Sequence, residues 1–270
     1  MTGDELIVLM GSAAFGLWSS VQWLRRVAGP SLAPLPSPLR ASLGAAPIAT
    51  LAGVFVALKV AASHDVRDAP QYLLLYLALG SAWCFGAVAL LSALGISFRD
   101  DVIERRNTAA AIVVLAALAA HAAIYAGSNI GDGPGWWCVV IAGFLGAGAW
   151  FVLWWIVESA SAASEQVTVE RDVPAAIRLG GYILASGFIL ARGAAGDWTS
   201  VGDTLRDFWV AWPAVALAAA AIGIERFVRN QPVGSSRGVA AAIALGHLAV
   251  SALAILTAPP LSQNPLYGGG

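Results

Sequence analysis

The run TAAAIVVLAALAAHAAIYAG, residues 108–127, contains no Asp, Glu, Lys or Arg. About 20 predominantly apolar residues are what a helix needs to cross a hydrocarbon core of about 30 Å, and this run has that length with one imidazole, His121, inside it. Its apolarity is continuous. Strands of a membrane barrel alternate apolar and polar residues over about ten positions, so the run is read as a helix.

Seven further segments follow the same rule, at residues 5–24, 43–63, 71–97, 135–160, 173–193, 206–229 and 237–258. Between them lie polar or broken connections, the first of which is rich in proline (Pro30, Pro34, Pro36 and Pro38). Of the 270 residues, 59% are hydrophobic and 11% charged. Soluble domains carry about 25% charged residues, so a water-soluble globule is excluded, and so is a disordered chain. A net charge of -1 leaves no basic footprint for nucleic acid. The expected fold is an all-α polytopic transmembrane bundle of about eight spans, one integral domain over residues 1–270. Its immediate partner is the lipid bilayer.

Asp4 and Glu5 precede the first apolar run and Arg25-Arg26 follow it. A cleavable secretory signal has the opposite polarity, so residues 5–24 are expected to be a retained span. Cys84 and Cys138 have no metal-ligand or disulfide spacing and are read as small buried hydrophobes.

Arginines flank alternate connections: Arg25, Arg26 and Arg40; Arg99, Arg105 and Arg106; Arg171 and Arg178; Arg226, Arg229 and Arg237. The other connections hold only Arg67, Arg192 and Arg206, with Lys59 close by. Positive residues accumulate on the cytoplasmic side. The odd-numbered connections are therefore expected to face the cytoplasm, with both termini outside it.

There is internal self-similarity. The octet Arg105-Arg106-Asn107-Thr108-Ala109-Ala110-Ala111-Ile112 aligns without gaps with Glu170-Arg171-Asp172-Val173-Pro174-Ala175-Ala176-Ile177. The same offset brings Gly131-Asp132 onto Gly196-Asp197. A further copy begins at Arg237 and a weaker one near Arg40, which suggests parallel two-helix units at 40–97, 99–160, 165–229 and, in part, 237–258. Inverted repeats, common in alternating-access carriers, are not visible.

This repeat edge, a charged turn followed by Asn or Asp, then Ala-Ala-x-Ile and a Gly/Ala-rich helix, resembles the YjfL-like family of bacterial inner-membrane proteins, domain of unknown function 350. Asn107 and Asp172 are the edge residues that carry the resemblance; Pro174 and Gly238 depart from it. The resemblance implies a multi-pass protein of the bacterial inner (plasma) membrane, built from two-helix units, with a place beside envelope-maintenance systems. It implies no reaction and no cofactor.

Ionisable groups within spans mark functional sites by default. His121 lies about 20 Å from the start of its span, and His247 about 14 Å from the start of the last, at 1.5 Å per residue. A pair of haem ligands would sit at equal depth, so the more ordinary reading is two neutral histidines hydrogen-bonded between helices. Lys59 and Arg178 are long enough to snorkel to an interface. Glu158 and Glu225 occupy matching span ends, where they would either line an ion vestibule or pair with arginines such as Arg226.

The 11 tryptophans divide between span ends, where indoles anchor at headgroups, and deeper positions such as Trp18, Trp83, Trp150 and Trp212. Gly143, Gly146 and Gly148 offer close helix approach, and Trp212-Pro213 is expected to bend the seventh span.

No phosphate loop, zinc-protease or nucleophile-elbow motif is present in the sequence, and the connections are short. The leading expectation is a non-catalytic structural or accessory subunit that associates with other membrane proteins or with itself. A channel or small-solute permease using Lys59, His121, Glu158, Arg178 and Glu225 is the alternative. A haem- or pigment-binding subunit ligated by His121 or His247 is the third. Cysteines introduced at positions 100 and 235 should resist an impermeant thiol reagent applied to intact cells, and one at position 132 should react; the reverse pattern overturns the orientation.

Overall fold

The computed structural model describes residues 1–29, 36–231 and 235–263. Pro30 and Pro34 of the first connection lie outside the described residues. Among the described residues, eleven α-helices follow one another: α1 (Gly3–Ala28), α2 (Ser37–Ala61), α3 (His64–Arg67), α4 (Pro70–Leu90), α5 (Thr108–Ser128), α6 (Trp136–Ser161), α7 (Ala163–Thr168), α8 (Val173–Ala194), α9 (Val201–Phe208), α10 (Pro213–Arg229) and α11 (Arg237–Leu256). Among the described residues, eight helices are long and apolar enough to cross a membrane, one of them formed by α9 and α10 together over Val201–Arg229. The protein is an all-helical, multi-pass membrane protein.

Three boundaries differ from the hydropathy reading, each for a local reason. α2 starts at Ser37, inside the proline-rich connection, because proline is tolerated in a first helical turn where its missing N–H was unpaired anyway. The connection after α4 contains a π-helical turn, Phe98–Glu104. In the seventh span, a 3-10 turn at Trp209–Ala211 precedes Pro213, so the break expected there takes the form of a change of helix type. Trp212 and Val215 donate to the carbonyls of Trp209 and Trp212 around it.

Helices α2, α5, α8 and α11 form a row in which each contacts the next, with α5–α8 the most extensive pairing. α4, α6 and α10 pack across this row, and α1 packs against α4. Small residues set the spacing within the row. A Cβ added to Gly187 of α8 would lie 2.6 Å from the Ala120 Cβ of α5, and one on Gly181 would lie 2.5 Å from the Ala244 Cβ of α11. A Cβ on Gly127 would fall onto the backbone of Ala191. Lipid tails are as apolar as the helices, so close van der Waals packing of this kind has to drive association in a bilayer.

Buried aromatics tie neighbouring helices through main-chain acceptors. The Trp23 indole donates to the Leu43 carbonyl at 2.7 Å, Trp150 to Ile183 at 3.0 Å, and the Tyr125 hydroxyl to Tyr76 at 2.6 Å. Gly80 leaves room for the Tyr125 ring, which a Cβ there would meet at 2.6 Å.

The two ends of the bundle differ. At the arginine-rich end, α5 and α8 begin alike. Asn107 and Asp172 are their N-caps, Arg106 and Arg171 precede them at φ 54° and 57°, and each cap N–H donates back to a carbonyl of the preceding turn (Asp101 at 3.0 Å, Gln166 at 2.9 Å). At the opposite end, the segments leaving the row run side by side. Ala62 bridges Gly131 in parallel fashion, the Gly196 and Trp198 N–H groups donate to Ile130 and Asp132 at 2.8 and 2.7 Å, and Asp197 N–H donates to Ser262. Gly131 and Gly196 hold φ of 118° and 136° here, values that favour glycine.

Gly187→Ala should destabilise the protein by about 1–3 kcal/mol through overpacking. Gly246→Ala, where nothing lies within 4 Å, should be neutral or stabilising by up to about 1 kcal/mol. Thermal unfolding in one detergent compares the two, and equal effects would remove the close-packing account.

Candidate functional site

Arg178 and Glu225 meet inside the bundle. Nε and Nη2 of Arg178 donate to Oε1 and Oε2 of Glu225, both at 2.8 Å, and Nη1 donates to the Ser235 hydroxyl. Arg178 is 1% exposed and Glu225 4%, so Arg178 turns inward to α10 rather than snorkelling to the interface. A two-pronged guanidinium–carboxylate pair satisfies both groups in a place where neither alone is tolerated.

Glu158 has a different task. Its Oε2 accepts the Ser164 N–H at 2.8 Å, closing the α6–α7 turn in which Ala162 adopts φ 47°. Arg226 and Arg229 donate at 3.0 Å to the carbonyls of Ala160 and Ser161. The two carboxylates at matching span ends thus have separate partners, and Glu225 pairs with Arg178 instead of Arg226. Lys59 donates at 2.6 Å to the Arg67 carbonyl.

Asn107 and Asp172 are helix caps. Asn107 Oδ1 accepts from Ala109 and Ala110, and its amide donates at 2.7 Å to the Val167 carbonyl, joining the two arginine-rich connections. Asp172 accepts from Ala175 at 3.3 Å.

The two intramembrane histidines are on different seams. His121 is fully buried between α5 and α6, its ring 4.6 Å from Trp150 and 5.2 Å from Phe151. His247 lies between α11 and α8, 6.2 Å from the Tyr182 ring. Among the described residues, no ring nitrogen of either has a hydrogen-bond partner, which differs from the interhelical hydrogen bonds the sequence suggests.

At the end opposite the arginines lies a polar cavity of about 160 Å³, lined among others by Glu5, Asp65, Tyr72, Asn129, Asp132 and Asp197. Burial, then the neighbouring carboxylates of Asp197 and Asp65, raise the Asp132 pKa above the ordinary carboxylate value. Asp197 Oδ1 accepts the Asp132 N–H at 2.8 Å. The recurrence of Gly131-Asp132 at Gly196-Asp197 is the one sequence signal for this cup; Glu5 and Asp65 had none. Among the described residues, no three His, Cys, Asp or Glu side chains are grouped to hold a metal ion.

Residues 64–194, which begin at α3 and end with α8, match the family model described as Domain of Unknown Function (DUF350). Over that stretch, just under half of its length, the chain is similar to the DUF350 family. The match takes in both caps, His121, Glu158 and Arg178, and leaves Glu225, His247 and α11 outside it. No curated protein and no solved structure matches the chain.

Removing one partner of a buried ion pair costs about 3–5 kcal/mol. Glu225→Gln and Arg178→Met should each lower stability on that scale, and the double replacement Arg178→Met with Glu225→Leu should recover most of it. Thermal unfolding of the three variants checks this, and additive losses would show that the pair does not act as a unit.

Proposed function

We propose that the chain is a non-catalytic subunit of a bacterial inner-membrane complex, in the envelope-maintenance class, that packs other membrane helices against the outer faces of its row. The arginine-rich end faces the cytoplasm in this reading, and both termini face away from it. The observation that carries it is a contrast in how small residues are used. Between α5, α8 and α11 they are in tight contact. On the two flanking helices, Ala45, Ala49 and Gly53 of α2 and Gly238, Ala242 and Gly246 of α11 are exposed at four-residue spacing. Nothing lies within 4 Å of a Cβ built on Gly53 or Gly246. Small residues one helical turn apart are the surface that lets another backbone approach in a bilayer.

A groove of about 480 Å³ beside α2, between it and α5, is lined by Ala45, Ala49, Gly53, Ala119, Ala123 and Phe188. It leaves the α2 face open to an incoming helix. A channel or permease is the second reading, and the acidic cup around Asp132 favours it.

Native mass spectrometry of protein extracted gently from its own membrane tests the proposal. The expected result is an assembly heavier than the 27.7 kDa chain that is lost on Gly53→Leu or Gly246→Leu while the fold persists by circular dichroism. A 27.7 kDa species carrying only lipid, with no adduct after cross-linking in the intact membrane, would overturn it.

A further inference from the structure

Among the described residues, three buried side chains of α8 and α11 have polar atoms without a hydrogen-bond partner: the Tyr182 hydroxyl, both ring nitrogens of His247 and the Ser251 hydroxyl. Their exposures are 1%, 5% and 1%. His247 and Ser251 are one turn apart on the same face of α11, and the Tyr182 ring stands edge-on to the imidazole at 6.2 Å. The group lies about 15–21 Å along α11 from Arg237, at 1.5 Å per residue, which is the middle of a span.

Tyr182 is one turn beyond Arg178 on α8, so the seam continues outward from the buried Arg178–Glu225 pair. All three groups can both donate and accept hydrogen bonds. Orphaned buried polar groups of this kind are met in proteins by water, which takes about three partners at a site.

His121 is the contrast within the same chain. Among the described residues its nitrogens are equally unpartnered, but its ring packs against Trp150 and Phe151, with no hydroxyl facing it there in a ring contact or hydrogen bond.

We propose that the α8–α11 seam is a water-binding site inside the membrane span, at which Tyr182, His247 and Ser251 exchange protons with bound water. The site goes beyond the subunit reading and does not rest on it.

Deuterium exchange at the histidine Cε1–H, followed by mass spectrometry of the full chain in lipid nanodiscs, reads water at each of the three histidines. His64, whose side chain is 86% exposed, serves as the wet reference, and His121 as the dry one. His247 is expected to exchange within about tenfold of His64, with His121 far slower, since exchange follows local access to water. Tyr182→Phe keeps the ring and removes one water partner, and it should slow His247 severalfold without touching His64. Protection of His247 equal to that of His121, or exchange indifferent to Tyr182→Phe, would overturn the site.

Discussion

The fold depends on the backbone-level contact of α5 with α8. Gly127 admits the main chain of Ala191, and Gly187 admits Ala120. In water such a seam would be secondary to apolar burial, but a bilayer offers no hydrophobic gain for bringing two apolar helices together. Dispersion between closely fitted surfaces is small per atom and large in sum, and it needs small side chains along the whole seam. α8 is the most buried span in the protein, and it is the one that presents Gly180, Gly181, Gly187 and Gly193 to its neighbours.

Polar chemistry is then sorted by where the helices leave it room. At the arginine-rich end, Asn107 joins the two capped connections, and Arg178 finds Glu225 within the bundle. At the opposite end, tight glycines let the segments after α5 and α8 exchange backbone hydrogen bonds, and carboxylates gather around the resulting cup. The apolar middle is interrupted at few points, of which His121 lies among aromatic rings and His247 beside hydroxyls. Two identical side chains within spans thus have different surroundings, set by whether the neighbouring helix contributes an indole or a phenol.

In the proposed subunit reading, the helix faces rather than the short connections are the working surface. α2 and α11 keep small residues exposed on their outer faces, and the DUF350 match over α3 to α8 covers the middle of the row. The parts of the chain that lie beyond that match, α10 and α11, supply Glu225, His247 and Ser251, so the buried pair and the α8–α11 seam are both completed from outside it.

Hydropathy alone determined the eight spans, because each is a long, predominantly apolar run with few charges, and the period of an apolar run in a membrane reports length rather than a buried face. The Asn107 and Asp172 edges were legible too, since a cap acts within its own turn. What only the tertiary structure decided is pairing. Arg178 was read as snorkelling and Glu225 as a neighbour of Arg226, whereas the inward partner of Arg178 comes from another helix at the same depth. The acidic cup draws Glu5 from α1, Asp65 from α3 and Asp132 from the connection after α5, and only the packing of α8 on α11 sets Tyr182 beside His247. A span's sequence records what each helix offers, but with apolar residues on all sides it carries no stripe to say which face turns toward which neighbour.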